Sequence, residues 1–365
     1  MRILICPDKF KGSLTAVEAA AALRRGLLRA LPDAEVRLQP LADGGEGSLE
    51  LYRTLPELSP QRLTVTGPLR RPVQAEYLLG GRRAVIESSQ ACGLHLVPVP
   101  RRHPKHTTTI GVGMLIEDAL ARGATDIILL LGGSATNDCG AGMAAALGYR
   151  FLSAGGDDFV PMADSLEWVA EIDATGRVAG LDRVRITAVV DVDNPLLGPT
   201  GATYTYALQK GAGSEELAGL ERNMAHFALC LRQQLNADVY KLRGGGAAGG
   251  MGAGARAFLG AALRPGTEVL FEAVGLAEQL AWADLVVTGE GRVDEQTLHG
   301  KVVAGVVAGG KPTIVVCGSA AVGADELGVE AVLPLLVQGG STERAMREAA
   351  ELAEATIYRY LAQRQ

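Results

Sequence analysis

Residues 2–31, RILICPDKFKGSLTAVEAAAALRRGLLRAL, read as a strand, a loop and a helix in that order. Arg2 to Cys6 is a short apolar run of the kind buried in a sheet. Ala16 to Leu31 is rich in Ala and Leu, the strongest helix formers. Thr15 with Glu18 three residues on makes a capping box, which sets where the helix begins. The loop between them leaves the strand at its carboxyl end, where ligands bind in open α/β sheets. It carries Asp8, Lys9, Lys11 and Ser13. Lysines are mostly solvated surface charges, so the loop reads either as plain surface or as a seat for phosphate or carboxylate.

The same texture recurs at both ends of the chain. Glu35 to Leu38 is a second strand, running into LADGGEGSLELY. There Asp43 and Glu46 either hold a metal or a substrate hydroxyl, or cap a helix starting near Ser48. Far along the chain, Leu285 to Thr288 is a strand that runs into GEGRVDEQTLHGK, placing Glu290 and Arg292 after it. Thr313 to Cys317 and Ala331 to Leu336 are further strands, and Ser341 to Leu361 is a closing helix. Short strands alternating with helices imply a parallel sheet with right-handed crossovers. Between the two ends, Arg62 to Ile86 alternates apolar and polar residues with Gly-Pro and Gly-Gly breaks, the pattern of antiparallel hairpins. The expected organisation is α/β in two dissimilar domains. Residues 1–64 and 285–365 form a parallel-sheet domain, and residues 65–284 form an inserted, mixed α/β domain.

Length and composition agree with this. A chain of 365 residues suggests two domains at ~150 residues each. With 48% hydrophobic and 21% charged residues it is a well-cored globular sequence, and with 4% aromatics its core is built from Ala, Leu and Val. The net charge of -6, with no run of Lys or Arg, argues against nucleic acid or an anionic membrane as partner. Cys6, Cys92, Cys139, Cys230 and Cys317 are scattered and form no CxxC, which fits reduced, buried thiols in a cytoplasmic protein. The N-terminus lacks the features of a signal peptide, and no apolar run approaches the ~20 residues of a membrane helix. Self-association is left open.

The inserted part holds two glycine-rich stretches. Ala124 to Leu131 is a strongly apolar strand that ends in GGSATNDCGAGMAAALG, residues 132–148. LRGGGAAGGMGAGARAFLG, residues 242–260, resembles it. Such a pair implies two ligand cradles or two helices packed closely through glycines. Backbone amides at a helix start favour anions, although neither stretch matches a Walker A or dinucleotide fingerprint. Polar residues occur only in the first copy, at Ser134, Thr136, Asn137 and Asp138. The first therefore suits a polar substrate, and the bare second copy suits phosphates. Val184 to Val190 is another apolar strand, ending in DVDNP. Asp191, Asp193 and Asn194 there supply a general base or Mg2+ ligands, or merely form an Asx-turn. Tyr204 to Gly213 reads as connecting structure with Lys210 exposed. Glu215 to Leu235 reads as an amphipathic helix with a structural His226.

MRILICPDKFKGSLTAVEAA, LADGGEG, LLLGGSATNDCGAGMAAALG, DVDNPLLGPTGA, KLRGGGAAGGMGAGARAFLGA and DLVVTGEGRVDEQTLHGK together resemble the type I bacterial glycerate kinase family. These blocks span nearly the whole chain. The resemblance implies ATP-dependent phosphorylation of D-glycerate, usually to 2-phosphoglycerate, in glyoxylate or sugar-acid catabolism. It also implies a Rossmann-like domain made from both chain ends, an inserted second domain, and an active site in the cleft between them. Individual roles follow from the chemistry, since phosphoryl transfer needs positioning and charge neutralisation. Lys9, Lys11 and Arg292 are assigned to the substrate carboxylate and the transferring phosphate, and Asp191 to the general base. Asp8, Asp193 and Glu290 are candidates for Mg2+. Ser13, Ser134, Asn137 and Asp138 would bind substrate, and Gly245, Gly246, Gly249, Gly250, Gly252 and Gly254 would wrap the ATP phosphates. The alternatives are a kinase for another short hydroxy acid and a non-catalytic hydroxy-acid sensor. Whether the C2 or the C3 hydroxyl accepts is not legible in the residues.

Overall fold

The computed structural model describes residues 1–45, 47–298, 301–336 and 340–364. The chain divides into two units, Met1–Asp43 with Thr267–Gln365, and Gly44–Gly266.

The first unit holds a five-stranded sheet. It is made of β1 (Arg2–Ile5), β2 (Glu35–Leu38), β12 (Leu285–Val293), β13 (Thr313–Ala320) and β14 (Ala331–Pro334), in the order β14-β13-β12-β1-β2. Every pair is parallel. Alternate residues serve opposite faces, and both faces are covered. Ile3, Ile5, Val287 and Val316 pack with helices Ala16–Ala30 and Ala349–Ala362. Leu4, Cys6 and Val286 pack with helices Leu276–Trp282 and Val302–Val307. A sheet buried on both sides needs such uninterrupted apolar runs. The capping box forms as read: the Glu18 amide donates to Thr15 Oγ1 at 3.2 Å, and the Thr15 amide to Glu18 Oε2 at 2.8 Å. Two details differ from the sequence reading. β12 continues to Val293, so Glu290 and Arg292 lie within the strand. The closing helix is two helices, Thr342–Arg347 and Ala349–Ala362.

The second unit holds a six-stranded mixed sheet in the order β11-β10-β6-β5-β4-β3. β5 (Arg83–Glu87), β6 (Asp126–Leu131), β10 (Arg185–Val190) and β11 (Ala262–Pro265) run parallel. β3 (Ser59–Thr66) and β4 (Pro72–Gly80) extend the sheet as antiparallel hairpins. A small antiparallel sheet of β7 (Arg150–Leu152), β8 (Asp158–Phe159) and β9 (Glu171–Asp173) completes the unit. Its core gathers Ile127, Leu129, Leu131 and Ala188 with Leu115 and Ile116, Phe227 and Leu231, and Met251 and Phe258.

The expected crossings were near 64 and 285, whereas the units divide at 43/44 and 266/267. β3 pairs with β4 over its full length, which draws the chain before residue 64 into the second unit. Leu276 and Leu280 pack against Leu4 and Val286, which draws the chain before 285 into the first. Among the described residues no helix is long and apolar enough to cross a membrane.

Candidate active site

In the second unit β5, β6 and β10 are neighbours in register, with Glu87 opposite Leu130 and Leu131 opposite Val190. The segments that follow them therefore leave one edge of the sheet side by side. The middle one, from Gly132 to Cys139, is held on several sides. The Ala135 amide donates to Cys92 O at 2.8 Å, and Thr107 Oγ1 donates to Ala135 O at 2.9 Å. Lys210 Nζ donates to Thr136 O at 2.8 Å and to Ser134 Oγ at 3.1 Å. The Asp138 carboxylate accepts from the Thr109 amide at 2.9 Å, from Thr109 Oγ1 at 2.8 Å and from the Gly140 amide at 3.2 Å. Burial pushes the Asp138 carboxyl up, and these donors act against the shift. With its oxygens so engaged, Asp138 builds the turn. Asn137 is also fully buried. Its Nδ2 donates to Thr203 Oγ1 at 3.3 Å, while its Oδ1 has no partner.

The second glycine-rich stretch packs directly on this loop. Helix Ala247–Leu259 is interrupted by left-handed backbone at Ala248, Gly249 and Gly250. A Cβ on Gly249 would lie 1.9 Å from Thr136 O, and one on Gly254 would lie 2.1 Å from Cys139 O. The amides of Gly245, Gly246 and Gly250 already donate to Leu242 O (2.8 Å), Asn194 O (2.9 Å) and Gly246 O (3.3 Å). A Cβ on Gly252 would lie 2.4 Å from Gly244 O. The six glycines expected to wrap phosphates thus meet protein backbone. The two similar stretches are each other's packing partners.

At the end of β10, Asp191 is exposed. The neighbouring Tyr206 hydroxyl is pushed up by burial and then by the Asp191 charge, and it donates to Asn194 Oδ1 at 2.6 Å. Asp193 forms a two-pronged surface ion pair with Arg243 at 2.7 and 2.8 Å, which holds its carboxyl below the usual range. Asp193 belongs to the second unit, whereas the other two Mg2+ candidates, Asp8 and Glu290, belong to the first.

In the first unit the Asp8 amide donates to Gly289 O at 2.8 Å, which sets Asp8, in the loop after β1, beside Glu290 of β12. Each is 6% exposed. Burial and then the Asp43 charge push the Asp8 carboxyl up to about 7, against the Lys9 amide bonded to it at 2.6 Å. Burial also raises Glu290, which accepts from Thr297 Oγ1 at 2.5 Å. The loop after β1 is closed by Phe10 N to Leu14 O at 2.8 Å and by Ser13 Oγ to Phe10 O at 2.9 Å. The Ser13 hydroxyl therefore serves the turn. Lys9 is half-buried and Lys11 exposed. Arg292 is exposed and lies 3.2 Å from Asp294. Among the described residues no three His, Cys, Asp or Glu side chains are grouped to hold a metal ion. Two buried carboxylates side by side do suit Mg2+, which takes one or two carboxylates and completes its shell with substrate phosphates and water.

Two buried charged residues of the second unit were not read as buried from the sequence. Glu87, ending β5 and 3% exposed, accepts from the Gly47 amide at 2.8 Å, the Leu49 amide at 3.1 Å and Ser89 Oγ at 2.8 Å. It anchors the segment around Glu46, which itself lies outside the described residues. An acid ending an apolar strand is the same signal that marked Asp191. Lys210 is 4% exposed, contrary to its reading as a surface residue.

Comparison with known proteins bears on these arrangements. The model of the glycerate kinase family matches residues 3–364. The chain is 43% identical over 368 residues to a glycerate kinase of Bacillus subtilis, covering 98% of this chain and 96% of the relative. It is 41% identical over 358 residues to a glycerate 2-kinase of Escherichia coli, covering 96% and 94%. A crystal structure of a protein from Salmonella typhimurium LT2, described as a glycerate kinase 2, superposes with a TM-score of 0.86 at 41% identity, covering 100% of this chain and 98% of that one.

Proposed function

The chain belongs to the glycerate kinase family, and on that premise we propose that it phosphorylates glycerate with ATP. The observation that carries the reading is the near full-length match to relatives named for this reaction. The name of the Escherichia coli relative points to the C2 hydroxyl as acceptor.

Glycerate offers a carboxylate and two hydroxyls, and the second unit's strand ends offer matching groups. Ser134 receives the substrate. Asp191, exposed at the end of β10, takes the proton of the attacking hydroxyl. As the new O–P bond forms, the bond from the γ-phosphorus to the bridging oxygen breaks and ADP leaves with the electron pair. Catalysis of such a transfer is mostly positioning and neutralisation of phosphate charge. Lys9, Lys11 and Arg292 in the first unit supply that neutralisation. Asp8 and Glu290 would hold Mg2+, which supplies further positive charge to the phosphates when bound. The glycine stretch contributes through the fold, since the amides of Gly245, Gly246 and Gly250 are engaged with protein carbonyls and a Cβ on Gly249, Gly252 or Gly254 would meet a backbone carbonyl. The five free cysteines are all buried, which suits a reducing compartment such as the cytoplasm.

The test is ADP release over D-glycerate and a panel of short hydroxy acids, with and without Mg2+. The reading expects release that depends on both D-glycerate and Mg2+. Preference for another hydroxy acid would move the assignment to that acceptor. Binding of a hydroxy acid without ADP release would make the protein a sensor.

A further inference from the structure

Lys210 lies on the short turn Leu208–Lys210 and is buried. Its ammonium meets two acceptors, Ser134 Oγ at 3.1 Å and Thr136 O at 2.8 Å, both in the loop that follows β6. Among the described residues no carboxylate bonds it. The carboxylate whose charge acts on it is Asp138, whose oxygens are engaged by Thr109 and Gly140. Cys92 is the other titratable group that acts on it. Burial pulls the ammonium down to about 8. A buried ammonium with no bonded counterion is costly. A neutral amide would tie the same two oxygens with less desolvation, so loop closure alone does not explain a lysine here.

The direction of the hydrogen bonds gives it a second use. An ammonium has three donors and no acceptor, so Ser134 Oγ must accept from it. The Ser134 hydroxyl is then left to donate its own proton elsewhere. Ser134 is itself 4% exposed. A hydroxyl held as a donor beside a buried positive charge is suited to a carboxylate oxygen. It is poorly suited to a donor group such as a substrate hydroxyl.

We propose that Lys210 is a positioning residue that fixes Ser134 as the hydrogen-bond donor to the carboxylate of the substrate. The inference rests on the reading that Ser134 receives glycerate, and it leaves Lys9, Lys11 and Arg292 to the phosphates.

The experiment is a double-mutant cycle on the full-length enzyme, with KM for D-glycerate, KM for ATP and kcat measured for Ser134→Ala, Lys210→Met and the double variant. Hydrogen bonds to charged groups are worth enough that each single change should raise the glycerate KM by on the order of tenfold or more. The ATP KM should stay within about twofold. Because Lys210 acts through Ser134, the double variant should be no worse than the poorer single variant within about threefold, where independent effects would multiply. Lys210→Gln keeps donors for both oxygens without the charge and should fall between wild type and Lys210→Met. It is also the variant to use should Lys210→Met not fold. A normal glycerate KM in Ser134→Ala, or in a folded Lys210 variant, overturns the proposal, and so do multiplicative effects. A wild-type enzyme that releases no ADP with glycerate would overturn the reading of the site, and this inference with it. A wild type active on glycerate with indifferent variants overturns the inference alone.

Discussion

The amide of Cys139 donates to the carbonyl of Gly249 at 3.2 Å, joining the two glycine-rich stretches through their backbones. Gly249 has φ +71, and a Cβ there would lie 1.9 Å from Thr136 O. Gly249→Val should therefore cost about 2–5 kcal/mol, from left-handed backbone strain and overpacking together. The expected result is a melting temperature lower by several degrees and an ATP KM unchanged in the folded protein. A stable Gly249→Val variant with a raised ATP KM would return the stretch to nucleotide binding.

Asp138 separates the packing role from the binding role most sharply. Asp138→Ala strands the buried Thr109 amide, Thr109 hydroxyl and Gly140 amide. At ~1–3 kcal/mol for each unsatisfied group, the second unit should be severely destabilised, with early amide exchange at the start of helix Ile110–Ala121. A normally stable Asp138→Ala protein with an altered glycerate KM would make Asp138 a substrate ligand after all.

Asp8 should write its burial into the pH dependence of stability. Its folded pKa of about 7 lies above the ordinary carboxylate range. Through that window the folded state binds more protons than the unfolded state, so stability falls as pH rises toward 7. Asp8→Asn removes this cost. In metal-free buffer it should melt above wild type at pH 8, with the gain shrinking toward pH 4, while turnover falls by ~10² or more. Parallel melting curves for the two proteins across pH 5 to 8 would contradict the buried-carboxylate account.

Asp191 is exposed at the end of β10. Asp191→Asn should leave the melting temperature unchanged and lower kcat by ~10² or more, the usual range for losing a general base. Near-normal turnover would remove Asp191 from the role.

Much of this architecture was legible because it is written in local periodicity. The apolar runs of β1, β6 and β10, the Thr15–Glu18 cap and the alternation across residues 62–86 each fix an element from neighbours in sequence. The unit boundaries were not legible, because β3 joins the second sheet through a partner strand that comes later in the chain. Lys210 was misread for a related reason. Its burial is set by Ser134 and Thr136, 76 and 74 residues away, and nothing in the segment from Tyr204 to Gly213 shows that. Asp193 and Asp138 looked like ligands by residue type. Arg243 lies 50 residues from Asp193 and Thr109 lies 29 from Asp138, and these distant partners engage their oxygens. The likeness of the two glycine stretches was visible, and its meaning as mutual packing needed the backbone contacts.

The central claim is glycerate phosphorylation, and its most direct test is the product itself. The enzyme is incubated with 13C-labelled D-glycerate, ATP and Mg2+, and followed by 13C and 31P NMR. The account predicts one ADP for each glycerate consumed, with the new phosphorus coupled to C2. A phosphate on C3 would contradict the assignment of the acceptor, and the absence of any phosphorylated glycerate would contradict the function.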